Sequence, residues 1–195
     1  MRNDFINILP AGIATGLGST PFTEVAPAMA MIKQYLPLVP HWPQLPRRGV
    51  PEGLIFQAFR CLVETGLVQV TGDQAAFDTA APDWPERLTE FYTICLEAEQ
   101  GSPEALARFS FSSDSAAGFT AFMAELQSGP AAALMVKGQV VGPLTMGFRL
   151  KDGDGNLAFY DEQLRDLVNR TLALHAAWQC GPSGGDGAAG PVVYR

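Results

Sequence analysis

The chain has 195 residues, of which 47% are hydrophobic and 17% charged, with a formal net charge of −7 at pH 7. That is the composition of a single globular domain with a sizeable core, not of a disordered segment. The acidic balance excludes nucleic acid as the main partner, because phosphate binding needs a basic surface, and it excludes a polybasic membrane anchor. Cys61, Cys95 and Cys180 are far apart and odd in number, so neither a disulfide framework nor a zinc knuckle is expected, and a reducing cytoplasm is the expected setting. Asp4 and Pro10 make the start a poor signal peptide, and no run of about 18 apolar residues is present for a membrane span.

In chain order, Ile13–Thr15 reads as a short strand running into the Gly-rich turn "GLGST". Thr23 is the candidate N-cap of a helix over "EVAPAMAMIKQYL", with Pro27 tolerable in its first turn. Leu38–Trp42 reads as a strand, followed by the stiff loop "HWPQLPRR". "PEGLIFQAFRCLVETG" has Leu54, Ile55, Ala58, Phe59 and Leu62 on one helical face, with Gly66 as the stop. "LVQVTGDQAAFD" predicts a hairpin about Gly72-Asp73. Two helices follow, one capped by Asp83 with Pro85 in its first turn, the other ended by Gly129.

The apolar stretch Met135–Val141 reads as a buried strand, with Pro143 halting strand pairing beyond it. Tyr160 to Gln179 forms the last helix, its stripe running through Leu164, Leu167, Val168, Thr171, Leu174, His175 and Trp178. Residues 180–195 are rich in Gly, Ala and Pro and read as a flexible tail after a domain spanning 1–179. The alternation of strands and helices predicts an α/β fold with a mostly parallel sheet.

Several stretches invite chemistry. "GLGST" lacks both the third glycine of a dinucleotide fingerprint and the Gly-Lys of a phosphate loop, so it predicts a tight turn whose Ser19 can touch a ligand. "DGDGNLAFYDEQ" starts like a calcium loop, but Leu157 and Gln163 stand where Gly and Glu are required, so it reads as a polar loop. His175, on an apolar stripe, is expected to be packed with one hydrogen bond. His41, beside Trp42 in the stiff segment, is the better candidate for a site. Arg47 and Arg48 are the only adjacent arginines, and guanidinium forks suit a carboxylate.

At "ATGLGSTPFTE", "HWPQLPRR" and "KGQVVGPLTMGF" the chain resembles the superfamily of cobalamin-independent methionine synthase and uroporphyrinogen decarboxylase, above all its short methionine-synthase-like members. The match in order runs from about Ile13 to Gln179. The first stretch resembles the family's "IGS-P-T" turn, and Gly142, Pro143, Leu144 and Thr145 resemble its "G-P-(V/L)-T" strand end.

The resemblance implies a (β/α)8 TIM barrel, normally of about 250 residues or more, of which this chain looks like the first half. It implies methyl transfer to a thiol such as homocysteine, from a folate or corrinoid donor, impaired here. The family's zinc ligands, a His-x-Cys pair, a Glu and a further Cys, lie in the second half, so no cofactor is expected in this chain.

Ser19, His41, Arg47, Arg48 and Thr145 are the expected substrate-binding residues, taking a small acidic or amino-acid substrate. "PQLPRR" loosely resembles the carboxylate clamp of the decarboxylases, which makes a decarboxylase acting on a polycarboxylate one alternative. A non-enzymatic half-barrel is the other. Half a barrel leaves strand edges open, so self-association or a partner chain completing the sheet is expected.

Overall fold

A computed structural model describes residues 12–128 and 133–181, and the backbone of 192–193. About half of the described residues are helical. The α-helices are α1 (Val25–Tyr35), α2 (Arg60–Glu64), α3 (Trp84–Glu99), α4 (Pro103–Ala107), α5 (Ala117–Ser128), α6 (Pro143–Arg149) and α7 (Glu162–Cys180). The strands are β1 (Val68–Thr71), β2 (Gln74–Phe77), β3 (Val136–Lys137) and β4 (Val192–Val193).

This corrects the expected fold class. A truncated (β/α)8 barrel with a mostly parallel sheet is not formed. β1 and β2 make an antiparallel hairpin, and the parallel pair β3–β4 is only two residues long. Of the segments expected as strands, Leu38–Trp42 meets its neighbour by a single parallel bridge, His41 to Lys137, and Ile13–Thr15 forms no strand, the nearest bridge being Ser19 to Gln44.

The physical reason lies in the second of these segments. Pro37, Pro40, Pro43 and Pro46 recur at every third residue. Each lacks the N–H that a ladder needs, so pairing cannot propagate along the segment. The open sheet edges of a half barrel, and the reason they gave for a partner chain, go with it.

Other elements follow the sequence more closely. The hairpin turns at Gly72, which has φ +62°. α3 starts after Asp83, although that carboxylate serves Arg87 by a 2.9 Å ion pair and not the helix end. Arg87 also donates to the Gly66 carbonyl at 2.6 Å and pairs with Asp78 at 3.1 Å, which fastens α3 to the hairpin. α1 begins after Glu24 with no side-chain cap, so Thr23 is not the cap, and Pro27 lies within the first turn.

Two stretches differ further. "PEGLIFQAFRCLVETG" forms 3-10 turns at Val50–Glu52 and Phe56–Ala58 and a short α2, in place of one helix. "GPLTMGF" is not a strand running into a loop: Pro143 opens α6, where its missing N–H is no loss. Asp152 Oδ1 accepts the backbone N–H of Asp154 and Asn156, closing the polar loop. The expected stop at Gly129 and most of the tail lie outside the described residues.

The larger apolar core joins α2, the hairpin, α3, α4, α6 and α7 through Phe59, Leu62, Phe77, Phe91, Phe109 and Leu167. A smaller one gathers Met29, Trp42, Phe111, Phe122 and Val136. α7 spans both. Asp161 caps it by accepting from the Leu164 N–H at 2.9 Å, and the predicted stripe faces inward, with Trp178 only half-buried. Among the described residues no helix is long and apolar enough to cross a membrane.

His175 is buried on that stripe and makes two bonds. Its Nδ1 lies 2.7 Å from the Phe109 carbonyl and must donate, so Nε2 accepts from the Gln179 amide at 3.0 Å. Burial pushes its pKa down from 6.5 to about 4, against the pull of the carbonyl bond. The unfolded chain therefore takes up this proton first as pH falls. The stability from neutral His175 is complete above pH 6.5 and is lost as pH falls through about 4. Urea titrations from pH 7 to 4 should show a loss on the order of 3 kcal/mol that His175→Gln does not show.

Candidate functional site

The stretches "GLGST", "HWPQLP" and "KGQ" converge, although they stand far apart in sequence. The Thr20 N–H donates to the Gln44 carbonyl at 2.9 Å and the Gln44 N–H to the Gly18 carbonyl at 2.7 Å, which lays "GLGST" along "HWPQLP". The Lys137 N–H donates to the Pro40 carbonyl, and its ammonium reaches the Gly16 carbonyl at 2.7 Å. Gln139 donates to the Trp42 carbonyl at 3.5 Å.

The two glycines of "GLG" are needed for this approach. A Cβ at Gly16 would lie 2.5 Å from His41 Nε2, and one at Gly18 would lie 1.5 Å from Gln139 Nε2. Bare backbone lets two buried polar side chains press against the segment.

His41 is buried, and its Nδ1 donates to the Trp42 carbonyl at 2.9 Å, leaving Nε2 as a lone-pair acceptor on the Gly16 side. Burial lowers its pKa, the Trp42 carbonyl opposes this, and the Lys137 charge adds to the lowering. The ring is neutral at pH 7.

Beneath this surface runs a polar chain that ends on a carboxylate. The Ser19 hydroxyl donates to Gln44 Oε1 at 2.9 Å, and Gln44 Nε2 donates to Gln57 Oε1 at 2.8 Å and to the Glu52 carbonyl at 3.4 Å. Gln57 Nε2 donates to Glu52 Oε2 at 3.3 Å and to the Ser115 carbonyl. Glu52 Oε1 accepts the Ala117 N–H, at the start of α5, and pairs with Arg48 Nε, each at 3.3 Å. Burial raises the Glu52 pKa, while the Ala117 N–H and Arg48 pull it back.

Arg47 and Arg48 stand at the rim. Arg47 donates to the Pro21 carbonyl at 3.3 Å and Arg48 to the Thr23 carbonyl at 3.2 Å. Both guanidiniums therefore bind acceptors within the chain and pin the segment that leads into α1. Ser19, His41, Arg47 and Arg48 thus bracket one stretch, residues 16–23. Thr145 is exposed on α6, which packs on α7, and no hydrogen bond among the described residues ties it to that stretch. Open clefts of about 600 Å³ and 440 Å³ flank residues 110–114, and none of the five expected residues lines either one.

Sequence reasoning missed Gln44, Gln57, Glu52, Lys137 and Gln139, all buried here. Such residues are usually exposed, so their types gave no signal. The one usable sign was Gln44, held between prolines in an otherwise apolar run.

Zinc ligation does not fit these residues. Cys61 and Cys95 are buried in the apolar core, where burial pushes both thiols up to about 12, far from the thiolate a metal needs. Among the described residues no three His, Cys, Asp or Glu side chains gather as metal ligands. Comparison with protein-family models, curated proteins and solved structures finds no match to this chain.

Glu52 gathers three donors, of which Gln57 also reaches the Ser115 carbonyl and Arg48 the Thr23 carbonyl. Glu52→Ala should cost about 1–3 kcal/mol in denaturant unfolding, since the Ala117 N–H loses its acceptor and Gln57 loses one of its two. Arg48→Ala should cost about 1 kcal/mol or less, because its guanidinium is partly in water.

Proposed function

We propose that this chain binds a small amino-acid substrate as part of a methyl transfer to a thiol such as homocysteine, in the manner of the methionine synthases it resembles. The observation that carries this reading is the convergence of "GLGST", "HWPQLP" and "KGQ" around residues 16–23, with Ser19 exposed at the surface of a buried polar network. Loops that meet at one place, held by a fixed scaffold, are where binding residues collect. A hydroxyl oriented by hydrogen bonds can hold a polar ligand without rearranging.

The decarboxylase alternative has less support. It needs paired arginines turned toward a carboxylate ligand, and here Arg48 already pairs with Glu52 while Arg47 and Arg48 each give one N–H to the Pro21 and Thr23 carbonyls. A reducing, cytoplasmic setting belongs to the methyl-transfer reading, since the thiol substrate must stay reduced.

Isothermal titration with L-homocysteine under reducing conditions tests the reading. Binding in the micromolar to millimolar range, weakened by Ser19→Ala, is the expected result. Equal, weak heats for homocysteine, glutarate and glycerol would contradict it.

A further inference from the structure

We infer that the open edge of β1 and the cleft beside it take an extended peptide in which apolar residues are flanked by basic ones. The peptide adds to the hairpin as a further strand. Nothing in this depends on Ser19 or on a thiol substrate.

Two hydrogen bonds fix which way the edge faces. The Asp78 N–H donates to the Leu67 carbonyl at 3.0 Å, so Leu67 turns its carbonyl toward the β2 side. Phe77, opposite Val68, donates instead to the Lys151 carbonyl at 2.8 Å, away from β1. Facing pairs alternate along an antiparallel ladder, so the N–H and C=O of Val68 and Val70 point away from β2. Val68 is buried, while Val70 is 43% exposed. Among the described residues β1 pairs with no strand but β2, which leaves the Val70 donor and acceptor for an added chain.

Val70 lines the cleft of about 600 Å³, a volume within the range of built ligand sites. Val50, Phe56, Phe59 and Val63 supply its apolar wall. Val63 is 43% exposed and Val50 37%, so this wall stands open to a partner. An added strand turns every second side chain to one face, where these residues can receive it. Arg60 lies on the same cleft with its fork already held. Its Nε donates to Glu64 at 2.7 Å, and its Nη1 donates to the Ser110 hydroxyl and the Phe111 carbonyl. Nη2 makes no hydrogen bond among the described residues and can take a peptide carbonyl. A purely apolar molecule would use neither this N–H nor the Val70 pair.

The uncompensated charge at this cleft is negative. Glu64 is shared by Arg60 and Arg108 at 2.7 Å each, and Arg108 also meets Glu90. Arg48 pairs with Glu52, Arg47 turns to the Pro21 carbonyl, and neither lines the cleft. Asp114 on the lining, and Asp73 beside the lining Gly72, are exposed and have no ion pair among the described residues. Basic side chains at the ends of a short apolar peptide complement these carboxylates, whereas acidic ones meet like charge.

The test titrates Lys-Val-Thr-Val-Lys and Glu-Val-Thr-Val-Glu, both with blocked ends, into 15N-labelled full-length protein at fixed ionic strength. The expected result is saturable shifts at Val63, Val70, Gly72 and Ser113, with the basic peptide about tenfold tighter than the acidic one. The Val70 amide proton should exchange more slowly in the complex. N-methylation of the three central peptide residues should weaken binding about tenfold, because the added strand loses its donors. Asp73→Asn combined with Asp114→Asn should erase the preference for the basic peptide. Val63→Lys, at an exposed position, should abolish its binding. Should that variant unfold the chain, the N-methylated peptide and the Asn variants decide.

Equal affinity for the two peptides, undiminished binding of the N-methylated one, or no shift at Val70 would overturn the inference. Val70 shifts that follow protein concentration alone would also overturn it, by making a second copy the occupant. Shifts with hexanol but with neither peptide would do the same in favour of a small apolar molecule.

Discussion

The buried Glu52 carboxylate is the constraint on which the rest of the site depends. A carboxylate taken out of water must find donors, and here it draws them from a turn, a helix start and a rim arginine. Through Gln57 and Gln44 it reaches the "GLGST" stretch, which has no regular secondary structure to hold it. Prolines deny this region a β ladder, so side-chain amides supply the bonds that strands would otherwise make. The apolar cores then close around the result, with Trp42 packed edge-on to Phe111 and Phe119 behind the network.

Such a network has a functional consequence. Preorganisation of this kind favours a ligand of matching polarity over one of similar size. The neighbouring glycines serve the same end, since a side chain at Gly16 or Gly18 would displace His41 or Gln139. Arg47 and Arg48, the arginines expected at a substrate, also hold the entry to α1 through the Pro21 and Thr23 carbonyls.

Helices and turns with local causes were legible in the sequence. The last helix, the hairpin and α3 follow from a 3.6-residue apolar period, from Gly72 and from Pro85. The fold class was not, because strand-like composition at Leu38–Trp42 and Met135–Val141 says nothing about whether the N–H groups needed for pairing are available. The proline at every third position was the contrary signal.

At the site, Ser19 and His41 were visible as polar residues in odd surroundings, and both border the converging stretch. Their partners were not visible, because a buried glutamine looks like an exposed one until the chain is folded. Thr145 drew attention through Pro143, which in the structure begins a helix.

The claim that the Glu52 network orders this region is tested most directly by hydrogen exchange of the Gln44 and Gln57 side-chain amides. In 15N spectra, the account predicts two resolved amide pairs whose protons exchange far more slowly than those of an exposed glutamine such as Gln127. Glu52→Ala should speed the Gln57 pair before global unfolding sets in. Gln44 and Gln57 amides exchanging at the rate of Gln127 in the unmodified protein would contradict it.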